Sequence, residues 1–142
     1  MPELISRVIT WIGSFESIQW KEDPVNSDGA HDYSDKVLRE SHCNMRIWLQ
    51  DGSNDLENHN YGDWPMANIH MANSLKTKGY DFHFSFEKGS HDAGLGAAQF
   101  PEEMIWLWRD YDPTKTEQEY VQDPAKNSNP YFRVTITSRD AN

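Results

Sequence analysis

The stretch WPMANIHMANSLKTKGYDFHFSFEKGSHDAG, residues 64–94, packs the signals of a helix, a turn, a strand and a loop into one run. Trp64, Ala67, Met71 and Leu75 recur at spacings of three and four, with Ala72 beside them, which predicts a helix over 64–79 with one apolar face. Lys76 and Lys78 fall in its last turn, where cations suit the negative end of the helix dipole, and Gly79 supplies the stop. In DFHFSF, residues 81–86, three phenylalanines alternate with His83 and Ser85, which is the period of a strand. His83 is therefore expected on the opposite side of the sheet from the phenylalanines, or at its edge. The polar loop GSHDAG ends the run and carries a histidine, His91, beside an aspartate, Asp92.

Outward from this unit, RVITWI (7–12) and MRIWLQ (45–50) are short apolar runs that read as buried strands. SDKVLRES (34–41) predicts a brief helical turn. FPEEMIWLWRDYDP (100–113) predicts a helix begun by Pro101, with Glu102 and Glu103 in its first turn, and ended by Asp112-Pro113. Residues 21–35 form a polar loop without periodicity, and YFRVTITS (131–138) alternates Phe132, Val134 and Ile136 inward as an edge strand. Strands alternating with helices or loops predict an α/β chain with a parallel sheet. Residues 1–113 hold its body and 114–142 a polar extension with one strand.

A chain of 142 residues falls in the single-domain range. Its net charge is −10 and its 13 basic residues are scattered, so it has no clustered basic surface for a nucleic-acid backbone. No apolar run approaches the ~20 residues of a membrane-spanning helix. No leader with a charged start, an apolar run and a small-residue cleavage site is visible, which leaves both cytoplasm and secretion open. The single cysteine, Cys43, excludes an internal disulfide framework and sits in no nucleophile motif.

Functional residues of open parallel sheets gather in loops past the carboxyl ends of the strands. Two such loops here are polar: DGSNDLEN after the second strand and GSHDAG after the third. One helix and one strand separate Asp55 from His91, and that unit returns the chain to the same edge of the sheet. The two residues are thus placed as an acid–His pair, in which the carboxylate fixes the imidazole tautomer and stabilises the imidazolium. Asp92 is nearer in sequence, but adjacent side chains on a turn rarely face each other. A loop histidine without chemistry is the competing role for His91.

RIWLQDGSNDLEN, the 64–94 stretch and FPEEMIWLWRDYDP, preceded by PELISRVITWIGSF, resemble the C-terminal half of esterases of the α/β-hydrolase fold. The nearest group is the enterochelin-esterase-like esterases, related to feruloyl and acetylxylan esterases and to S-formylglutathione hydrolase. The resemblance spans residues 2–113. It implies a partial α/β-hydrolase fold: the last three parallel strands with flanking helices, to which the C-terminal edge strand is added. It also implies a carboxylic-ester hydrolase acting on small-molecule esters, with Asp55 as triad acid and His91 as triad base. No cofactor and no metal are implied.

The family's nucleophile is a serine in G-x-S-x-G on a strand-to-helix turn. No serine here has glycines two residues before and after it: Ser14 has Ile12 and Glu16, Ser53 has Asp51 and Asp55, Ser90 has Lys88 and Asp92. The elbow belongs upstream of RVITWI, and the oxyanion donors go with it. Ser14 is the one stand-in to weigh, against a loop serine bonding its local backbone. Asp51, Ser53, Asn54, Asp55 and Glu57 resemble a calcium loop only superficially, since Leu56 stands where Gly is needed and Gly62 where a bidentate Glu belongs. Asp51, Asn54 and Glu57 are expected to shape the loop around Asp55. The six histidines show no H-x-x-x-H or H-E-x-x-H spacing for zinc.

Two functions follow: part of a serine esterase holding acid and base, inactive alone, or a non-catalytic module that keeps part of the fold. A sheet beginning at RVITWI leaves an open edge that favours oligomers, a partner chain or aggregation.

Overall fold

The computed structural model describes residues 5–16, 32–58, 62–115 and 132–137. In chain order these form β1 (Arg7–Trp11), α1 (Asp32–Arg39), β2 (Arg46–Gly52), a two-residue pair β3 (Glu57–Asn58) and β4 (Gly62–Asp63), α2 (Trp64–Thr77), β5 (Asp81–Glu87), α3 (Gly94–Leu107) and β6 (Phe132–Thr137). β1, β2, β5 and β6 make one parallel sheet in that spatial order. The expected α/β architecture, a parallel sheet with flanking helices, is present. β6 takes the edge beside β5, as expected of the C-terminal strand. Its side chains, and with them the inward alternation of Phe132, Val134 and Ile136, lie outside the described residues. So do residues 21–31 of the region read as a polar loop, whose residues 32–35 are instead the first turn of α1, and most of the 114–142 extension.

β2 lies between β1 and β5 and is buried along its whole length. Its period of two sorts the core into two layers. Ile47 and Leu49 join Phe82 and Phe84 of β5 under Met71, Ala72 and Leu75 of α2. Trp48 points the other way, to Trp106 and Leu107 of α3. His83 lies on that second side, as expected, with its ring 3.8 Å from that of Trp48. Large side chains buried on both faces of β2 make it the centre of the hydrophobic stabilisation, at roughly 1.5–3 kcal/mol per fully buried apolar side chain.

α2 stops at the expected signal, and its start is capped. The Asp63 carboxylate accepts the Met66 amide at 2.9 Å as N-cap, and Pro65 stands in the first turn, where its missing N–H is harmless. At the other end Gly79 takes φ 79°, its amide meets the Lys76 carbonyl, and the Tyr80 amide meets the Leu75 carbonyl. That is a Schellman motif, with Tyr80 and Leu75 in the same apolar cluster.

The helix expected at 100–113 is displaced. α3 begins at Gly94, runs through Pro101 and ends at Leu107. The stripe Gly96, Gln99, Glu103, Trp106 and Leu107 is buried on both sides of Pro101, while Pro101 itself is exposed. Tertiary contacts hold the helix together across the missing amide. A Cβ on Gly96 would lie 2.3 Å from the Trp11 ring, Gln99 donates to Glu87, and Glu103 accepts from Trp11 Nε1. At the amino ends of the strands, Arg7 and Arg46 donate to the Leu107 carbonyl at 2.9 and 2.7 Å, satisfying one orphan acceptor of the last turn. Buried Asp81 pairs with both Arg46 and Arg109.

β1 is half-buried and forms the other edge of the described sheet. Beside it opens an apolar groove of about 380 Å³, lined by Val8, Phe15, Val37, Met45, Leu49 and Met71 among others. No helix among the described residues is long and apolar enough to cross a membrane.

Candidate active site

β2 and β5 are parallel neighbours that end level with each other, Gly52 opposite Glu87. Their following loops therefore leave from one end of the sheet, and two backbone bonds join them. The Ser53 amide donates to the Glu87 carbonyl at 2.7 Å, and the Asn54 amide to the Gly89 carbonyl at 2.9 Å. Gly52 permits this approach, since a Cβ there would lie 2.3 Å from the Gly89 carbonyl oxygen.

The joined loops bring Asp55 and His91 together as the sequence predicts. Asp55 Oδ1 lies 2.5 Å from His91 Nδ1, and the same oxygen accepts the Leu56 amide. The Asp55 side chain is fully buried and that of His91 is 36% exposed. A buried acid gripping Nδ1 leaves Nε2 of a partly open ring for a reacting group, the polarity an acid–His pair needs. Asp92 turns away, accepting from the Ser90 hydroxyl at 2.6 Å and the Gly94 amide at 2.8 Å. Those two bonds, the hydroxyl's first, hold its carboxyl below the usual range.

Trp64, the first residue of α2, stands edge-on to the His91 ring with centroids 5.8 Å apart. Its Nε1 donates to Ser14 Oγ at 3.2 Å. Ser14 is exposed, and its hydroxyl is engaged with Trp64 rather than hydrogen-bonded to His91. Buried Asn68 donates to the Gly13 and Trp64 carbonyls and ties the chain leaving β1 to α2. Just before this loop Ile12 takes φ 46°, a left-handed conformation that costs a β-branched residue roughly 1–3 kcal/mol.

Two acids complete the surroundings. Asp51 is the penultimate residue of β2 rather than part of the loop that follows, and it is fully buried. Burial, then the neighbouring Asp55 carboxyl, push its carboxyl up to about 9. Glu16 is 1% exposed, and burial, reinforced by the charges of Asp55 and Asp63, raises it to about 7. Neither acid was singled out for chemistry from sequence, although strand period places Asp51 on the same face as Ile47 and Leu49. Among the described residues no group of three His, Cys, Asp or Glu side chains is arranged to hold a metal ion.

No protein-family model matches this chain, and no curated protein or solved structure matches it either.

Proposed function

We propose that this chain carries the acid and the base of a serine-type carboxylic-ester hydrolase, with the nucleophile supplied from outside its sequence. The observation that carries the proposal is the 2.5 Å contact of His91 Nδ1 with the buried Asp55 carboxylate. Support comes from the chain order, acid before histidine, and from the exit of both loops at the carboxyl ends of adjacent parallel strands. The half-buried edge of β1 and the apolar groove beside it suit a further strand and helix bearing the G-x-S-x-G elbow.

In this scheme the serine hydroxyl attacks the ester carbonyl while His91 Nε2 takes its proton. Asp55 stabilises the imidazolium and holds the ring. The tetrahedral intermediate expels the alcohol, to which His91 returns the proton, leaving an acyl-enzyme. Water, deprotonated by the same histidine, then releases the acid. The proposal expects an in-frame G-x-S-x-G upstream of Met1 or in an adjacent gene. Expressed together with that segment, the chain should hydrolyse p-nitrophenyl acetate in a manner that depends on His91 and Asp55. The second reading is a non-catalytic module, favoured by the absence of any serine in a G-x-S-x-G context in this sequence. Hydrolysis unchanged by His91→Ala, or none in the combined protein, would favour that module.

A further inference from the structure

Of the two neighbouring aspartates, three carboxyl oxygens have no well-placed hydrogen-bond donor among the described residues: both of Asp51, which has only the Gly52 amide nearby, and Oδ2 of Asp55. All three are buried, and a bare carboxylate pair in such a place would meet both desolvation and mutual repulsion. The group does not form a metal site. One shared proton satisfies two adjacent buried carboxyls at once, removing one charge and supplying one donor.

We propose that Asp51 is a neutral carboxylic acid that donates its proton to Oδ2 of Asp55 and so positions the carboxylate that holds His91. The proton belongs on Asp51 because the donors sit on Asp55. Oδ1 of Asp55 has the Leu56 amide and His91 Nδ1, which stabilise its charge. Asp51 has only the nearby Gly52 amide acting in that sense, which burial and the Asp55 contact outweigh. Its strand partner is Phe86, an apolar neighbour. The other charged groups around this cluster are His91 on the loop after β5, bonded to Asp55, and Glu16 beyond β1, an acid that itself lies near Asp63. Glu87 on β5 faces the other side, toward Gln99. Apart from His91, the surroundings therefore oppose a second negative charge.

Asp51 is thus a positioning residue. With its proton in place, Asp55 has both oxygens engaged and cannot rotate away from the ring. When the proton leaves in alkaline solution, two buried carboxylates repel and the grip on Nδ1 loosens. That gives the site an alkaline limit set by a residue that never touches substrate. The functional consequence rests on the esterase proposal, but the location of the proton does not.

The test is carboxyl-detected ¹³C NMR of the full 142-residue chain, with the His91 Nδ1 proton followed in the same samples. Wild type, Asp51→Asn and Asp51→Leu are compared. One aspartate should titrate at least about two pH units above the ordinary ~3.9, and its signal should be absent from Asp51→Asn. Asn supplies an N–H where the acid supplies an O–H, so the Nδ1 proton should persist at neutral pH in Asp51→Asn. As pH rises past neutrality the resonance should weaken in wild type but not in Asp51→Asn. Asp51→Leu should lose it, and if that variant does not fold, the Asn comparison decides. All aspartates titrating below about pH 5 would overturn the proposal, as would identical alkaline responses in wild type and Asp51→Asn. The esterase proposal fails separately, by absent or His91-independent ester turnover.

Discussion

Gly52→Ala probes the joint between the two loops, which everything at the site depends on. The new methyl carbon would lie 2.3 Å from the Gly89 carbonyl oxygen and 2.6 Å from its carbon, whereas ordinary contact begins near 3.4 Å. The obstacle is backbone, so no side chain can swing aside. The loops must separate by about 1 Å, comparable to the misplacements that disable catalytic geometry. Such a shift stretches the Ser53–Glu87 and Asn54–Gly89 backbone bonds. Two weakened bonds at roughly 1 kcal/mol each, with about 1–3 kcal/mol of overpacking, give an expected loss of about 2–4 kcal/mol. Urea denaturation measures the loss, and the His91 Nδ1 proton resonance reports whether Asp55 still grips the ring. A loss under about 0.5 kcal/mol with the resonance intact would refute the view that backbone contact at Gly52 assembles the site.

Asp81→Ala removes the shared partner of buried Arg46 and of Arg109, and should cost about 3 kcal/mol or more in urea denaturation. Asp110→Ala, which removes the half-exposed partner of Arg46, should cost under about 1 kcal/mol. Equal costs would contradict the assignment of Asp81 as the buried hub. Glu16 and Asp51 have carboxyls raised by burial to about 7 and about 9, so the folded chain holds protons that the unfolded chain has released. Their contribution to stability is therefore complete at acid pH. It declines as pH rises from their unfolded values, for Glu16 until about 7 and for Asp51 until about 9. His42, lowered by burial, acts in the opposite sense below its ordinary value, so the clean measurement is a difference. Asp51→Asn should gain stability over wild type progressively between pH 5 and 9, by at most about 1.4 kcal/mol per pH unit. A constant difference across that range would contradict the neutral state of Asp51.

What could be read in advance was whatever depends on local period and local stops. α2 shows its apolar stripe and its Gly79 stop in plain order, and β5 its alternation, so the Asp55–His91 juxtaposition followed from one helix and one strand between them. α3 was misplaced because Pro101 is a strong local start signal. Its actual first turns, GLGAAQF, are small residues whose helicity is fixed by Gly96 against Trp11 and by Gln99 and Glu103 with their partners. Those contacts arise from chain segments far apart in sequence. The buried state of Glu16 and Asp51 was hidden for the same reason. A charged residue at a strand end, such as Asp51, or in a loop, such as Glu16, usually faces water, and only the assembled fold buries these two.

The most direct measurement is p-nitrophenyl acetate hydrolysis by this chain combined with the segment that carries the G-x-S-x-G elbow, wild type against His91→Ala. The expected result is serine-dependent turnover that falls by about 10⁴-fold or more on loss of the imidazole, with no His91-dependent turnover by the chain alone. Equal turnover with and without His91 would contradict the assignment of Asp55 and His91 as the acid and base of an esterase.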